Sequence, residues 1–506
     1  MTLVMALTLG ALVVVALRGG EAGSLGAPDL RALWFTVKQA FLSALLSVVL
    51  AIPLARALAR RRFPGRDSLT TLLGAPFLLP VIVAILGVIA VWGRSGWLSD
   101  LSLALGGPRL DVYGLPGIII AHVFFNLPLA ARLILQAYGE APPERWRVAA
   151  QLGIEGRALF RVMEWPLIRA SAPAAFALVF LVCATSFAVA LALGGGPRAT
   201  TLELAIYEAA TYDFQLGRAA LLAGLQFGVC ATAALLAFAV SAPVTSSPGT
   251  LVAVERWDGR TAAARWFDST VIGATLLFLG TPMLAIALRG AAGLDDLGPE
   301  VWTAVLRSLI VAAIATALTV ALALGLGALI VGLRMRGSRG TARLADIAGL
   351  MPIAASPFVI GVALIVVLRS FADPFALALP LTALVNAAMA VPFALRIVVP
   401  AIERAASDHG RLADSLGLAG WTRLRVLYLP ALRAPLGFAA GLAAALSIGD
   451  LGVIALFSTP DAPTLPLLMY LLASSRQVDA AHGAALVLIA LSFAAFALFD
   501  RLGRRT

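Results

Sequence analysis

Long apolar runs separated by shorter polar segments make up most of the chain. A helix that crosses a membrane needs roughly 17 to 25 mostly apolar residues. Twelve runs reach or approach this length, near residues 2–17, 33–55, 69–92, 115–135, 170–193, 219–240, 271–288, 304–333, 344–368, 376–399, 434–457 and 480–499. The pattern predicts an all-α polytopic membrane protein with about twelve transmembrane helices.

One polar, arginine-containing segment occurs twice between these runs. The first copy extends from Arg132 to Arg169 and the second from Arg396 to Arg433. The residues shared at a constant spacing of 264 positions are Pro128, Arg132, Ala149, Leu152, Gly153, Pro166 and Arg169, which recur as Pro392, Arg396, Ala413, Leu416, Gly417, Pro430 and Arg433. A fixed spacing without insertions indicates one structural unit used twice.

Six runs precede and six follow a polar stretch in the middle of the chain. An even number of spans in each half gives both halves the same orientation, so two parallel six-helix repeats are expected, related by an axis along the membrane normal. We assign residues 1–240 to the first half, 241–268 to a cytoplasmic linker and 269–506 to the second half. The repeated loops lie at about 136–169 and 400–433, and each is predicted to meet a partner.

Arginines predict which face of the membrane each loop occupies. They cluster after the second run, after the eighth run and at the end of the chain, at Arg56, Arg60, Arg61, Arg62, Arg66, Arg334, Arg336, Arg339, Arg343, Arg501, Arg504 and Arg505. By the positive-inside rule these segments are cytoplasmic. Both repeated loops and both termini are therefore expected in the cytoplasm.

Composition and charge restrict the function further. Hydrophobic residues make up 61% of the chain and charged residues 13%, which is far from the composition of soluble domains. The net charge of +11 is spread over loops beside the membrane, so it does not form the basic stripe typical of nucleic-acid binding. Cys183 and Cys230 lie inside apolar runs and have no metal-ligand spacing. No metal site and no nucleic-acid partner are predicted.

Residues that could perform catalysis or bind nucleotide are missing from the sequence. It has three histidines and one lysine, Lys38, and contains no GxxxxGK[ST] phosphate-binding sequence. We therefore predict that the chain is not an enzyme and binds no cofactor. If ATP drives it, another subunit binds ATP and Mg²⁺.

Several polar residues inside the apolar runs are candidates for a translocation path: His122, Asn126, Ser186, Asn386 and Asp450. Ionisable residues within membrane spans suggest function. Two alternatives remain open, since His122 can be a packing residue and Asp450 can pair with a neighbouring helix end. Prolines within two of the runs, at Pro76, Pro80, Pro352 and Pro357, predict kinks.

The repeated loop resembles the EAA loop of ABC importer permeases, whose short coupling helix docks on the ATPase. The residues that carry this resemblance are Ala149, Ala150, Gly153 and Pro166 in the first copy and Ala413, Gly417 and Pro430 in the second. Small residues permit close approach, glycine permits the turn and proline ends the loop as the chain re-enters the membrane. The resemblance implies two ATPase copies.

One position departs from that family's pattern. Six residues before the glycine, where the family has glutamate, this chain has Arg147 and Arg411. The salt bridge of that glutamate cannot be carried over. We expect the arginines to contact acidic groups on the ATPase instead.

Longer stretches are similar to the fused twelve-span permeases of thiamine and thiamine pyrophosphate importers. They are AAQLGIEGRALFRVMEWPLIR, ALGGGPRATTLELAIYEA, YDFQLGRAALLA, LSIGDLGVIALF and TLPLLMYLLASSR. The similarity implies a bacterial inner-membrane location, a periplasmic thiamine-binding protein that delivers cargo, and alternating access between the halves. It also gives Asp450 an electrostatic role beside a cationic cargo.

Two other functions are compatible with parts of the pattern. A ferric-iron ABC permease has a similar fused architecture with two loops. A secondary transporter can also have six plus six spans. Such a transporter needs coupling acids within its spans, where Asp450 is the one good candidate, and it has no reason to repeat a docking loop.

Overall fold

The computed structural model describes most of both halves. It covers residues 25–240 with gaps at 67–68, 71–72, 74–78, 195 and 197–198, residues 256–504 with gaps at 418–419 and 458–461, and positions 10, 11, 13, 14 and 17. Most of the predicted first span near 2–17, the linker residues 241–255 and Pro76 lie outside the described residues.

The described ranges contain helices, turns and irregular segments but no strand. Ten helices within them are long and apolar enough to cross a membrane, and a bent pair of helices makes an eleventh. These eleven correspond in order to the second through twelfth predicted spans. The prediction of an all-α polytopic membrane protein is confirmed.

The helices of the first half begin with a long one that carries the first arginine cluster at its end. In chain order they are α1 (Ala27–Arg60), α2 (Val81–Trp92), α3 (Trp97–Ala104), α4 (Leu115–Glu140), α5 (Pro143–Gln151), α6 (Gly156–Leu159), α7 (Trp165–Ala184), α8 (Phe187–Leu193), α9 (Leu202–Thr211) and α10 (Leu216–Val240).

The second half repeats most of this order with longer helices. It contains α11 (Ala262–Ala292), α12 (Pro299–Met335), α13 (Arg339–Ala355), α14 (Pro357–Leu368), α15 (Ala378–Ser415), α16 (Gly420–Arg423), α17 (Leu429–Ile448), α18 (Gly452–Phe457), α19 (Leu465–Ser474) and α20 (Val478–Arg504). Helix α11 begins at Ala262, within the stretch assigned to the linker.

The same packing arrangement occurs in both halves. Helices α1, α4 and α7 pack against one another in the first half, as α12, α15 and α17 do in the second. The hydroxyl of Thr36 accepts a 2.8 Å hydrogen bond from the backbone N–H of Leu202, and the hydroxyl of Ser308 accepts a 2.9 Å bond from that of Leu465. Both leucines are fully buried. The repeat in sequence is therefore also a repeat in structure.

Several predicted spans are broken helices rather than straight ones. The predicted fifth span is interrupted at Thr185 and Ser186, and the eleventh at Gly449 to Leu451. The ninth bends by 86° between its two helices. Hydropathy did not reveal these breaks because the few polar residues at them, Thr185, Ser186, Ser356 and Asp450, are outweighed by long apolar runs on either side.

Two of the prolines predicted to form kinks lie at the start of a helix. Pro80 is the N-cap of α2, and Pro357 is the first residue of α14. Proline suits this place because the first N–H groups of a helix have no intrahelical partner. The kink predicted in the ninth span is confirmed, because the span bends by 86° between Pro352, inside α13, and Pro357, which begins α14. Pro80 precedes α2 and does not lie inside it.

Helix α11 extends the second half across to the first. It packs against α2, and a Cβ added at Gly87 would lie 2.8 Å from the carbonyl oxygen of Pro282. Only glycine permits this close approach of α2 to a helix of the other half. Helix α11 also packs against α20.

Candidate functional site

The second part of each repeated loop has the same backbone structure. In the first loop α6 is followed by a π-helical segment, Phe160–Glu164, and then by α7. In the second loop α16 is followed by the π-helical segment Leu424–Tyr428 and then by α17. Every one of these boundaries recurs at the 264-residue spacing of the sequence repeat.

Two glycines in each loop adopt the left-handed backbone conformation. The φ angles are +61° at Gly153 and +56° at Gly156, and +65° at Gly417 and +52° at Gly420. A side chain in this region costs roughly 1–2 kcal/mol, which favours glycine. A Cβ added at any of the four meets no atom within 4 Å, so backbone conformation rather than space selects glycine.

The start of the loop differs between the copies. In the first, α4 ends at Glu140 and the separate short helix α5 begins at Pro143 after Pro142. In the second, α15 continues without a break to Ser415. The prediction of a separate short helix therefore holds for the first copy only, because the second has Ala406 and Ser407 where the first has its two prolines.

The predicted docking residues divide into exposed and buried ones. Ala149 and Ala413 are buried, whereas Arg147, Ala150, Gly153, Pro166, Gly417 and Pro430 are exposed. Arg411 lies within α15. The two buried alanines hold the loop against its own half, and the exposed residues form its outer surface.

Both loops expose the same apolar side chains. Leu152 is 70% exposed and its counterpart Leu416 is 64% exposed, while Val162 and Val426 are 57% and 58% exposed. Arg161 and Arg425 lie beside these valines in sequence and are also exposed. Sequence comparison of the loops had singled out neither the valines nor these two arginines, although all recur at the same spacing. The chain thus presents one surface twice.

A cavity of about 260 Å³ lies between the two halves. Its lining includes Leu129 and Val182 from the first half and their counterparts Phe393 and Leu446 from the second. Residues that are equivalent in the repeat meet only near the axis that relates the halves. The cavity is therefore central.

Three of the predicted path residues line this cavity, namely His122, Asn126 and Ser186. His122 Nδ1 lies 3.1 Å from the hydroxyl of Ser43, and Asn126 donates a 2.8 Å hydrogen bond to the carbonyl of His122. The other ring nitrogen of His122 has no hydrogen-bond partner among the described residues. It is a buried, unpaired polar atom of a residue that lines the cavity.

The other two path candidates, Asn386 and Asp450, do not line the cavity. The side-chain amide of Asn386 donates a 3.1 Å hydrogen bond to the hydroxyl of Ser447. A carboxylate oxygen of Asp450 accepts a 3.2 Å hydrogen bond from the backbone N–H of Val453, at the start of α18. Asp450 thus pairs with the start of α18, as one of the two alternatives expected, and its contact with cargo stays a prediction.

The remaining lining of the cavity is apolar and aromatic. It comprises Leu79, Pro80, Val81, Phe125, Leu129, Val182, Val189, Phe393, Ala445, Leu446 and Gly449. Sequence analysis missed these residues because apolar side chains inside an apolar run carry no distinguishing signal. The one clue in the sequence was that some of them occupy equivalent positions at the 264-residue spacing.

No metal site is formed by three or more histidine, cysteine, aspartate or glutamate side chains in the described part of the chain. Cys183 and Cys230 are both buried and not disulfide-bonded.

Comparison with known proteins gives matches along nearly the whole chain. The thiamine transport system permease protein of Brucella abortus (strain 2308) is 41% identical over 509 residues, covering 97% of this chain and 92% of that protein. Its namesake from Escherichia coli (strain K12) is 39% identical over 484 residues, covering 94% and 90%. That of Haemophilus influenzae is 36% identical over 467 residues, covering 90% and 85%. No family model matches the chain.

Proposed function

Because the chain belongs to the family of thiamine transport system permease proteins, we propose that it is the membrane-spanning subunit of an ATP-driven thiamine importer. The identity extends over both halves, so the proposal concerns the whole chain. Thiamine, its phosphates, or both are the proposed cargo. The ferric-iron and secondary-transporter alternatives are not supported, because all three relatives described above are thiamine transport permeases.

The proposed mechanism rests on the exposed surface that occurs once in each of the two repeated loops. Leu152, Val162 and Arg161 recur as Leu416, Val426 and Arg425, all exposed. Exposed apolar side chains gathered beside charged ones are typical of a protein contact. Two equal surfaces suit two copies of one partner, and we infer that each binds one cytoplasmic ATPase subunit. ATP and Mg²⁺ are bound there and not by this chain.

The proposed orientation follows the arginines. Helix α1 ends beside Arg60 and Arg61 and α12 ends beside Arg334 and Arg336, so these ends and both loops lie in the cytoplasm, as do both termini. A periplasmic thiamine-binding protein would then deliver cargo to the opposite face. The location is the inner membrane of a bacterium.

Cargo is proposed to pass through the central cavity on its way between the two faces of the membrane. Thiamine carries a fixed positive charge, and the faces of Phe125 and Phe393 attract cations through their π electrons. His122 and Asn126 supply polar side chains to the lining. The carboxylate of Asp450 already accepts a hydrogen bond at the start of α18. The proposal therefore does not include the electrostatic role that the sequence predicted for Asp450.

Uptake in a defined system tests this function. The chain is expressed with its ATPase and binding protein in cells that lack their own thiamine importer, and entry of radiolabelled thiamine is measured. We expect uptake that disappears when the ATPase is omitted. Binding of the ATPase without uptake of thiamine or its phosphates would contradict the cargo, and uptake without the ATPase would contradict the mechanism.

A further inference from the structure

Arg256 lies in the linker, shortly before α11, and is buried against the first loop. Its guanidinium carbon is 4.4 Å from the centre of the Trp146 ring on α5. Its Nη2 atom is 2.5 Å from Oε1 of Glu164, the last residue of the first π-helical segment. The Arg256 side chain is 2% exposed and Glu164 is fully buried. The contact therefore joins two segments that lie about ninety residues apart.

Further ion pairs hold this contact in place. Asp258 Oδ2 lies 2.8 Å from Arg256 Nη2 and 2.9 Å from Arg60 Nη2 at the end of α1. Arg56 Nε lies 2.7 Å from Glu164 Oε2. Asp268 on α11 pairs with both Arg60 and Arg61. The end of α1, the first loop and the beginning of the second half thus meet in one largely buried network.

Because Arg256 is buried, its positive charge must be paired with a carboxylate. Removal from water alone would lower the pKa of Arg256, but hydrogen bonds and the charges of Asp258 and Glu164 raise it, so the side chain remains charged. An uncompensated buried charge is strongly unfavourable. The network therefore resists separation of the first loop from the start of α11.

The second loop has different residues at the positions that hold Arg256 in the first loop. At the 264-residue spacing, Trp146 corresponds to Gly410 and Glu164 corresponds to Tyr428. At these positions the second loop has neither the tryptophan nor the glutamate that hold Arg256. The two loops, alike on their outer surfaces, are attached differently.

We propose that Arg256 is a positioning residue that couples the first loop to the second half. A displacement of the first loop then moves α11 together with α1. Helix α11 packs on α2 at Gly87, and the residues that begin α2, Pro80 and Val81, line the central cavity. The anchor thus links the first loop to the cavity through the opposite half. The proposal rests on the proposed function in one respect, which is that the loops receive the ATPase.

Arg256→Lys is the informative variant. Lysine keeps the positive charge but cannot lie flat on the tryptophan ring or donate in a fork to two carboxylates. Amide hydrogen exchange of the full chain in lipid nanodiscs reports the local effect. We expect residues 143–151 to exchange faster by about tenfold, with residues 400–415 unchanged. Arg94→Lys is the matched control, because Arg94 pairs with Asp111 outside both loops and both side chains are more than half exposed.

The transport effect is measured in proteoliposomes with the ATPase and binding protein present. We expect Arg256→Lys to lower thiamine transported per ATP hydrolysed by several-fold while ATP hydrolysis persists, and Arg94→Lys to preserve the ratio. Trp146→Phe leaves every charge in place and is a milder second variant, with a smaller change in the same direction.

Unchanged exchange at residues 143–151 in Arg256→Lys would overturn the anchor. Faster exchange with an unchanged transport ratio would overturn its coupling role. The exchange measurement needs neither ATPase nor cargo, so it separates this inference from the proposed function. Absence of ATP-dependent uptake by the unaltered chain would overturn the function alone.

Discussion

The hydroxyl of Ser356 donates a 2.6 Å hydrogen bond to Oε1 of Glu203, across the boundary between the two halves. Ser356 lies at the bend between α13 and α14 and has a φ angle of +59°, which is unusual for a residue other than glycine. Glu203 is fully buried on α9, which lies between the fifth and sixth predicted spans. Its other carboxyl oxygen has no hydrogen-bond partner among the described residues. A carboxyl in this setting is favoured in its neutral form.

Glu203 is expected to make stability depend on pH. Burial raises its pKa from 4.5 to about 8, although the hydrogen bond from Ser356 partly opposes this effect. The folded protein then binds more protons than the unfolded chain between these values, so stability falls as pH rises through this window. The melting temperature of the purified protein is therefore expected to decrease from pH 6 to pH 9.

Glu203→Gln should remove much of this pH dependence, because glutamine remains neutral and can accept the Ser356 hydrogen bond. The exposed Glu300 is the matched control, and Glu300→Gln should retain the full decrease. Melting curves at several pH values measure both variants. An equally steep decrease in Glu203→Gln would assign the dependence to another group.

The turn glycines of the loops should respond to substitution according to backbone conformation. At Gly153 and Gly417, alanine should destabilise the left-handed turn by roughly 1–2 kcal/mol. Asparagine tolerates this conformation better. Because a Cβ meets no atom at either site, we expect uptake to decrease in the order glycine, asparagine, alanine, valine.

Thiamine uptake, normalised to the amount of protein in the membrane, measures this series. Gly340→Ala is the control, since Gly340 lies within α13 and also has open space around it. Equal loss with asparagine and valine would show that side-chain size matters rather than backbone conformation. Full uptake in Gly153→Val and Gly417→Val would remove the turns from the coupling mechanism.

The amino-acid pattern predicted the large-scale arrangement because membrane insertion depends on length and hydropathy. It located the eleven spans that the structure describes, and the constant spacing identified both loops. It did not indicate the break at Ser186, because a few residues without helical hydrogen bonds leave hydropathy unchanged. Pro352 and Pro357 did indicate the bend at Ser356. The π-helical segments also have no compositional signal.

Long-range contacts were the other part that sequence could not predict. Arg256 belongs to a polar stretch that resembles an ordinary linker, and its partners Trp146 and Glu164 lie far away in the chain. Asp450 stood out as an acid within a span, but whether it contacts a cargo or a helix end depends on the fold. The structure shows the contact with the helix end.

Asp450 is therefore expected to act mainly on stability. Replacing a helix-capping acid by alanine costs about 0.5–2 kcal/mol, whereas asparagine also caps well. Asp450→Ala should lower the melting temperature, and Asp450→Asn should keep both the melting temperature and uptake near those of the unaltered chain. Slow uptake in Asp450→Asn at an unchanged melting temperature would instead show that the charge acts on the cargo.

Filling the central cavity should block transport without disturbing the loops. Leu129 and Phe393 line the cavity from opposite halves at equivalent positions, so a larger side chain at Leu129 points into space that both halves share. We expect Leu129→Trp to lower thiamine uptake by about tenfold or more, equivalent to about 1.4 kcal/mol in the limiting step. ATPase binding should remain, because the exposed loop residues are unaltered.

The control for this variant is Leu306→Trp. Leu306 lies on α12, is 59% exposed and does not line the cavity. This control should transport normally and so exclude a general effect of an added tryptophan. The truncation Phe393→Ala enlarges the same cavity and should reduce uptake less than Leu129→Trp, because it leaves the path open while removing an aromatic face. Normal uptake in Leu129→Trp, with the protein correctly assembled, would show that cargo does not pass through this cavity. A loss in Phe393→Ala as large as that in Leu129→Trp would instead indicate that the aromatic face, rather than free space, limits passage.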